Sequence, residues 1–437
     1  MDNTFQFEIL NELIKQSEIG NNIVISPLSI YKILSLCANG ADKKTLKEMV
    51  KSLCNKSLDE INDINRELNS TIDNFKTVTI ANSIFTFLSK TQLEKKFLIK
   101  AGQYNANVEK IESCDQINKW CSNATNGKIT EIIDSIDKET TMILINAIYF
   151  KGEWEKKFDK SKTEKKFFFN YKKEKKLIDF MFRKDKYYCY ENEDTKILSL
   201  NYQKDNIKAL IIMPSEENDI NEYAKNFTIY NYKNILNNLT EDTVSLYFPK
   251  FEINYKSELN SIFQSLGMKK AFIDEADFSL ISNDEDMKID KIIHKAYIKV
   301  DEEGTEASAA TAVKSGRKVK MKTPDMIVDH PFLFIIRNEN LPVGHDILFI
   351  CVIEDFKDIK SQKNIKDTDT DTGINNPQTQ QINNQINNNI NLLEFDYVDK
   401  PNKNNNNNNN NIDLLGDIFQ SSSSYNVMNN NFNINII

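Results

Sequence analysis

The side chains able to carry catalysis are few in this chain of 437 residues. Its three histidines, His294, His330 and His345, leave little for a Ser–His or Cys–His couple and argue against a histidine-rich metal site. Neither a GxxxxGK[ST] phosphate loop nor a GxSxG elbow occurs. Cys37, Cys54, Cys114, Cys121, Cys189 and Cys351 are scattered without a CxxC pair, which reads as free thiols in a reducing compartment. The expectation is a protein that is not an enzyme and uses neither cofactor nor metal.

Chemistry of another kind is concentrated in residues 302–330, EEGTEASAATAVKSGRKVKMKTPDMIVDH. A long stretch without a structure signal between two strand-like runs is uncommon and usually functional. Thr305, Ala307, Ala309, Thr311 and Val313 share one parity; Glu306, Ser308, Ala310, Ala312 and Lys314 share the other. Read with period two, one face is small and mostly apolar, which suits a strand slotting into a sheet that is already packed. Bulky inward side chains there would cost roughly 1–3 kcal/mol each. Gly304 supplies backbone freedom where the chain would turn into such a sheet. Downstream, Lys314, Arg317, Lys318, Lys320 and Lys322 occur with no acid among them. By composition alone that tract reads as a solvated basic linker or a nuclear-import patch.

The elements that must position this stretch belong to residues 1–357. Beyond them, residues 358–437 are polar and asparagine-rich, with too little apolar area to offset an ordering entropy of about 1–2 kcal/mol per residue; a disordered tail is expected. Apolar spacing predicts a helix over 3–18, a buried helix over 28–38 started by Ser26-Pro27, and a polar helix over 58–74. Strand-like runs stand at 77–87, 141–150, 207–213, 243–253, 292–300, 331–336 and 347–353. Several are continuously apolar, as central strands covered on both faces are. Without strict βαβ alternation, the fold class is α+β. The net charge of −8 gives no reason to expect nucleic acid as a partner. The N-terminal stretch lacks a secretory pattern and no run approaches 18 apolar residues, so a cytoplasmic protein without a membrane partner is expected.

Several segments, in order, carry a resemblance: NNIVISPLSIYKILSLCANGA (21–41), TVTIANSIF (77–85), NGKITEII (126–133), ILINAIYFKGEWEKKF (143–158), LYFPKFEI (246–253), LGMKKAFIDEADFS (266–279), IIHKAYIKVDEEGTEA (292–307) and DHPFLFII. Together they resemble the serpins, serine protease inhibitors, and within that family its intracellular ovalbumin-like branch. The resemblance spans about residues 5–353. It implies the serpin fold: mixed sheets with a large central sheet, surrounding helices and an exposed reactive-centre loop.

On that resemblance Glu303, Gly304, Thr305, Glu306, Ala307, Ser308, Ala309, Ala310 and Thr311 form the loop hinge. Ser26, Ser29, Asn146 and His294 match a polar shutter cluster beneath the central sheet, and Trp154 matches the breach where the loop first enters. The basic tract becomes bait. Counting fourteen positions past the hinge glycine gives Lys318, chemistry adds Arg317 through bidentate pairing in an acidic pocket, and Lys320 stands third. The reactive bond is thus placed at Arg317, Lys318 and Val319. The implied function is a suicide substrate that traps a trypsin-like serine protease as a covalent acyl complex, acting as a monomer. A papain-like cysteine protease as target, and a non-inhibitory chaperone or storage role, stay open; the hinge has none of the charges or prolines expected of non-inhibitory members. Two departures from the family pattern put local packing in question: Cys351 replaces a usual glycine, and Glu354-Asp355 replace Asn-Pro. In the tail, Leu392, Leu393 and Phe395 within LLEFD resemble a clathrin-box peptide, and Asp413-Leu414-Leu415 an adaptor-binding dileucine.

Overall fold

A computed structural model describes residues 4–53, 56–87, 92–283, 287–305 and 325–356. The first helix, Phe5–Gln16, buries Phe5, Phe7, Ile9, Leu10, Leu13 and Ile14, the residues whose spacing predicts it. In Pro27–Ala38 every residue is buried; Ser26 caps it by accepting from the Ser29 amide, and proline takes the first turn, where a missing N–H costs nothing. Leu58–Ile72 starts at a reciprocal capping box between Ser57 and Glu60.

Two sheets carry the rest. The seven-stranded sheet runs Asn107–Lys110, Val78–Thr86, Met142–Phe150, Ile289–Val300, with Phe251–Glu258 on the far side of Ile289–Val300. Its two middle strands, Met142–Phe150 and Ile289–Val300, are parallel, with Asn146 opposite His294 and Tyr149 opposite Tyr297. All nine residues of Met142–Phe150 are buried, as a strand covered on both faces requires. Above Tyr149 and Tyr297 the pair parts, and Gly304–Thr305 stands in the fork: Thr305 pairs with Val300 on one edge and with Gly152 on the other.

The nine-stranded sheet runs Ile23–Ile25, Ile347–Ile353, Phe332–Asn338, Ile207–Pro214, Thr195–Asn201, Lys175–Glu191, Thr240–Pro249, Asp325–Ile327, with Glu164–Phe169 also paired to Lys175–Glu191. The sequence reading does not include Ile23–Ile25, Glu164–Phe169, Thr195–Asn201 or Asp325–Ile327, and two further elements differ from it. The run 243–253 is not one strand: Thr240–Pro249 lies in this sheet and Phe251–Glu258 in the other. Pro249 has no amide to continue the ladder, and the Lys250 side chain turns aside to Glu302 at 2.9 Å. The 17-residue strand Lys175–Glu191 carries no clean alternation, because Phe180 and Met181 are buried side by side where its inward parity changes. Its charge density hid it from a search for apolar runs.

Among the described cysteines, Cys37, Cys114, Cys121, Cys189 and Cys351 are free thiols. The two departures are accommodated. Cys351 is buried between Val24 and Phe334, its register partners. Glu354 accepts from the Gly20 amide at 2.8 Å, and Asp355 meets Lys176 at 2.6 Å.

Candidate functional site

The segment Asp301–Thr305 forms the N-terminal root of the loop and is bonded on every side. It reverses direction tightly: the Asp301 amide donates to the Gly304 carbonyl at 2.8 Å and the Asp301 carboxylate accepts from the Glu303 amide at 3.0 Å. Gly304 lies against the chain at Gly152. A Cβ there would collide with the Gly152 carbonyl oxygen and come within 2.6 Å of Glu153 Cα, so only glycine fits. Thr305 is fully buried, and its hydroxyl is 2.8 Å from that of Tyr202.

Trp154 closes the fork from the side. Its indole N–H donates to the Asp301 carbonyl at 2.9 Å, its amide donates to the Glu303 carbonyl at 3.0 Å, and its ring stacks on Tyr202 at 4.4 Å. Burial pushes the Tyr202 phenol well above its ordinary pKa, so it stays a neutral hydroxyl at any working pH.

Two carboxylates anchor the root. Glu303 meets Lys157 at 2.8 Å and Lys160 at 3.0 Å; the hydrogen bond from Lys157 is the main reason its pKa lies below the usual carboxylate value. Glu302 meets Lys250 at 2.9 Å and accepts from the Thr163 hydroxyl at 2.7 Å. Burial works against its ionisation, yet those hydrogen bonds outweigh it and hold its pKa low.

Lower in the sheet, a polar cluster spans the seam between the middle strands. Asn146 Oδ1 accepts from the Ser29 hydroxyl at 3.0 Å and from His294 Nδ1 at 2.6 Å, while Asn146 Nδ2 donates to Asn82 Oδ1 at 2.6 Å. Asn82 Nδ2 returns to the Ser29 carbonyl at 3.3 Å. The Ser29 hydroxyl also lies 3.2 Å from the Ser26 carbonyl, and the Ser26 hydroxyl accepts from the Ser29 amide. His294 Nε2 is 3.3 Å from the Val24 carbonyl. Ser26, Ser29, Asn146 and His294 are completely buried, and burial lowers the His294 pKa to about 4, so the imidazole is neutral at pH 7.

The structure thus brings Ser26, Ser29, Asn146 and His294 into one network, and Trp154, Glu303, Gly304 and Thr305 into another. Glu306, Ala307, Ser308, Ala309, Ala310 and Thr311, the bond at Arg317, Lys318 and Val319, and Leu392, Leu393 and Phe395 lie outside the described residues. The C-terminal root of the loop is the strand Asp325–Ile327, parallel to Ser245–Tyr247. Sequence reading missed Asn82, Tyr202, Gly152 and the lysines of the Glu302–Glu303 anchor. Asn82 carried a signal, an amide in the middle of an otherwise apolar run; Tyr202 carried none.

A mixed-sheet α+β architecture with a short strand seated in the fork of its central sheet is the serpin fold. The chain belongs to the serpin family: the family model described as serpin (serine protease inhibitor) matches residues 1–355. The chain is 32% identical over 353 residues to Serpin B8 of Homo sapiens, covering 76% of this chain and 92% of that protein. It is 31% identical over 367 residues to Iripin-1 of Ixodes ricinus, covering 80% and 92%. Among solved structures, the native state of the thermophilic serpin Tengpin matches with a TM-score of 0.75 at 30% identity, over 81% of this chain and 93% of that one.

Proposed function

We propose that this serpin is a suicide-substrate inhibitor of a trypsin-like serine protease, cleaved after Arg317 or Lys318. The observation that carries the reading is the position of Thr305: the first inward residue of the small-residue run is already a buried member of the central sheet, paired on both edges. The later residues of that parity through Val313 are also small. In this mechanism the protease serine attacks the carbonyl of the bait residue, the peptide bond breaks, and the new amine leaves. The protease stays on as an acyl ester. The freed chain from Thr305 onward then extends the strand that Thr305 begins, which requires Met142–Phe150 and Ile289–Val300 to part. The Ser29–Asn146–His294 cluster is the latch on that seam, and Trp154 guards its opening.

Insertion races deacylation. A substitution that slows insertion tenfold raises the barrier by only about 1.4 kcal/mol, so hinge side chains decide between inhibitor and mere substrate. Residues 358–437 are proposed as a separate tail with no part in the race, and the cytoplasm as the place of action; a clathrin contact through Leu392, Leu393 and Phe395 is proposed for the tail alone.

The test is incubation with a trypsin-like and a papain-like protease, followed by denaturing electrophoresis. The expected product is a covalent complex with the first that survives boiling in detergent. Clean cleavage with full protease activity left would favour a non-inhibitory serpin. A complex with the second only would move the target to the cysteine proteases.

A further inference from the structure

A cleft of about 350 Å³ lies between the turn at Glu191–Lys196, the end of the strand Ile207–Pro214 and the strand Asp325–Ile327. Its lining carries six carboxylates, those of Glu191, Glu193, Asp194, Glu216, Asp325 and Asp329, with Lys196 and His330 as the basic side chains. Low-dielectric walls with one sign of charge concentrate cations.

The histidine supplies an observation independent of that charge. His330 Nε2 is 2.7 Å from the Pro214 carbonyl oxygen, and Nδ1 is 2.9 Å from Asp329 Oδ1. A carbonyl only accepts, so Nε2 carries a proton. A neutral imidazole has no second proton to give, so Nδ1 would then point its lone pair at a carboxylate oxygen. A proton on Nδ1 makes this an imidazolium–carboxylate pair, and a metal ion is the other cation that can take that place. An imidazole whose distal N–H is held by a backbone carbonyl, with its other nitrogen beside carboxylates, has the second-shell arrangement of a metal ligand.

We propose that Glu216, Asp329 and His330 form a binding site for a divalent metal ion of the Zn²⁺ class. One donor atom from each residue lies within 4.8 Å of those of the others. Donors 2.9 Å apart, as Nδ1 and Asp329 Oδ1 are, subtend about 90° at an ion bound at about 2.0–2.1 Å. Glu216 is exposed and free to swing in as the third ligand, with water completing the shell. One imidazole and two carboxylates suit a borderline ion better than a soft one. Asp329 and His330 follow the C-terminal root of the loop, and Glu216 follows the strand Ile207–Pro214. A bound ion would therefore stitch the segment after the loop to the sheet beneath it, and stabilise the folded chain by mass action.

Titration calorimetry with ZnCl₂ on the full chain tests this, alongside thermal unfolding with and without the metal. One strong site is expected, at least tenfold weaker in Glu216→Gln and lost in His330→Gln, with the metal-induced rise in melting temperature reduced in the first and lost in the second. Affinity should fall as pH drops, because a proton competes for Nδ1. Both variants should still form the protease complex, which shows that they fold. Absence of stoichiometric binding would overturn the proposal. So would equal affinity in wild type and both variants, which would assign the ion to the thiols.

Discussion

The Thr305 and Tyr202 hydroxyls lie 2.8 Å apart, both residues are buried, and the Tyr202 ring stacks on that of Trp154. The first residue of the proposed inserting face is therefore already buried, paired on both edges and hydrogen-bonded through its hydroxyl. A larger or charged residue has to be expelled before the strand can lengthen.

Thr305→Arg should convert the inhibitor into a substrate. A guanidinium buried against Tyr202 and Trp154 is expensive, so the root would stay outside the sheet. The stoichiometry of inhibition is expected to rise at least tenfold, and an unchanged value would refute the face assignment.

Gly304→Ala should loosen the same root by steric means alone. The added methyl meets the Gly152 backbone, which belongs to the sheet and has little room to yield. Hydrogen exchange at the Trp154 and Phe158 amides, which donate to the Glu303 and Glu302 carbonyls, should quicken. Equal protection in the variant would mean that the root does not depend on that close approach.

Acid should weaken the seam. The His294 pKa falls from an ordinary 6.5 to about 4 in the folded chain, so below pH 6.5 the unfolded state binds a proton that the folded state refuses. The associated stability is complete above pH 6.5 and drains away as pH falls toward 4. Between pH 7 and pH 5 the loss is about 2 kcal/mol. His345, also lowered to about 4 by burial, adds in the same direction, whereas His330, raised by Asp329, Pro214 and Glu216 despite its burial, works in the opposite one. Urea midpoints at the two pH values should show a smaller difference in His294→Gln than in wild type; an identical difference would remove His294 from the account.

Deletion of residues 358–437 should leave the melting temperature and the stoichiometry of inhibition unchanged. A fall of several degrees would show that the tail contributes to the folded domain.

Cleavage should release a C-terminal fragment beginning at Lys318 or Val319, read by mass spectrometry. A first residue before Gly316 or after Met321 would prove the register wrong.

What was legible in the sequence follows from how local each signal is. The helix Pro27–Ala38 announces itself through Ser26-Pro27 and unbroken apolar residues, and Met142–Phe150 through nine residues without a charge. Gly304 and the small-residue parity could be read one residue at a time. Tyr202 could not, because its role depends on a hydroxyl 103 positions away. The anchor of Glu302 and Glu303 was equally hidden: Lys157, Lys160 and Lys250 look like any solvated lysines until the two sheets meet. The strand Lys175–Glu191 was lost because its inward parity changes partway along.

Of the two tryptophans in the chain, Trp120 packs edge-on against Phe85 on the helix Cys114–Ala124, remote in sequence from the loop, whereas Trp154 lies flat on Tyr202 with its indole N–H tied to Asp301. Any strand that slides into the fork must pass that indole and alter its surroundings. Under the proposed mechanism the indole is therefore a built-in optical reporter of insertion. With Trp120→Phe to silence the background, stopped-flow emission would time the passage of the loop in the unlabelled protein, one turnover per molecule.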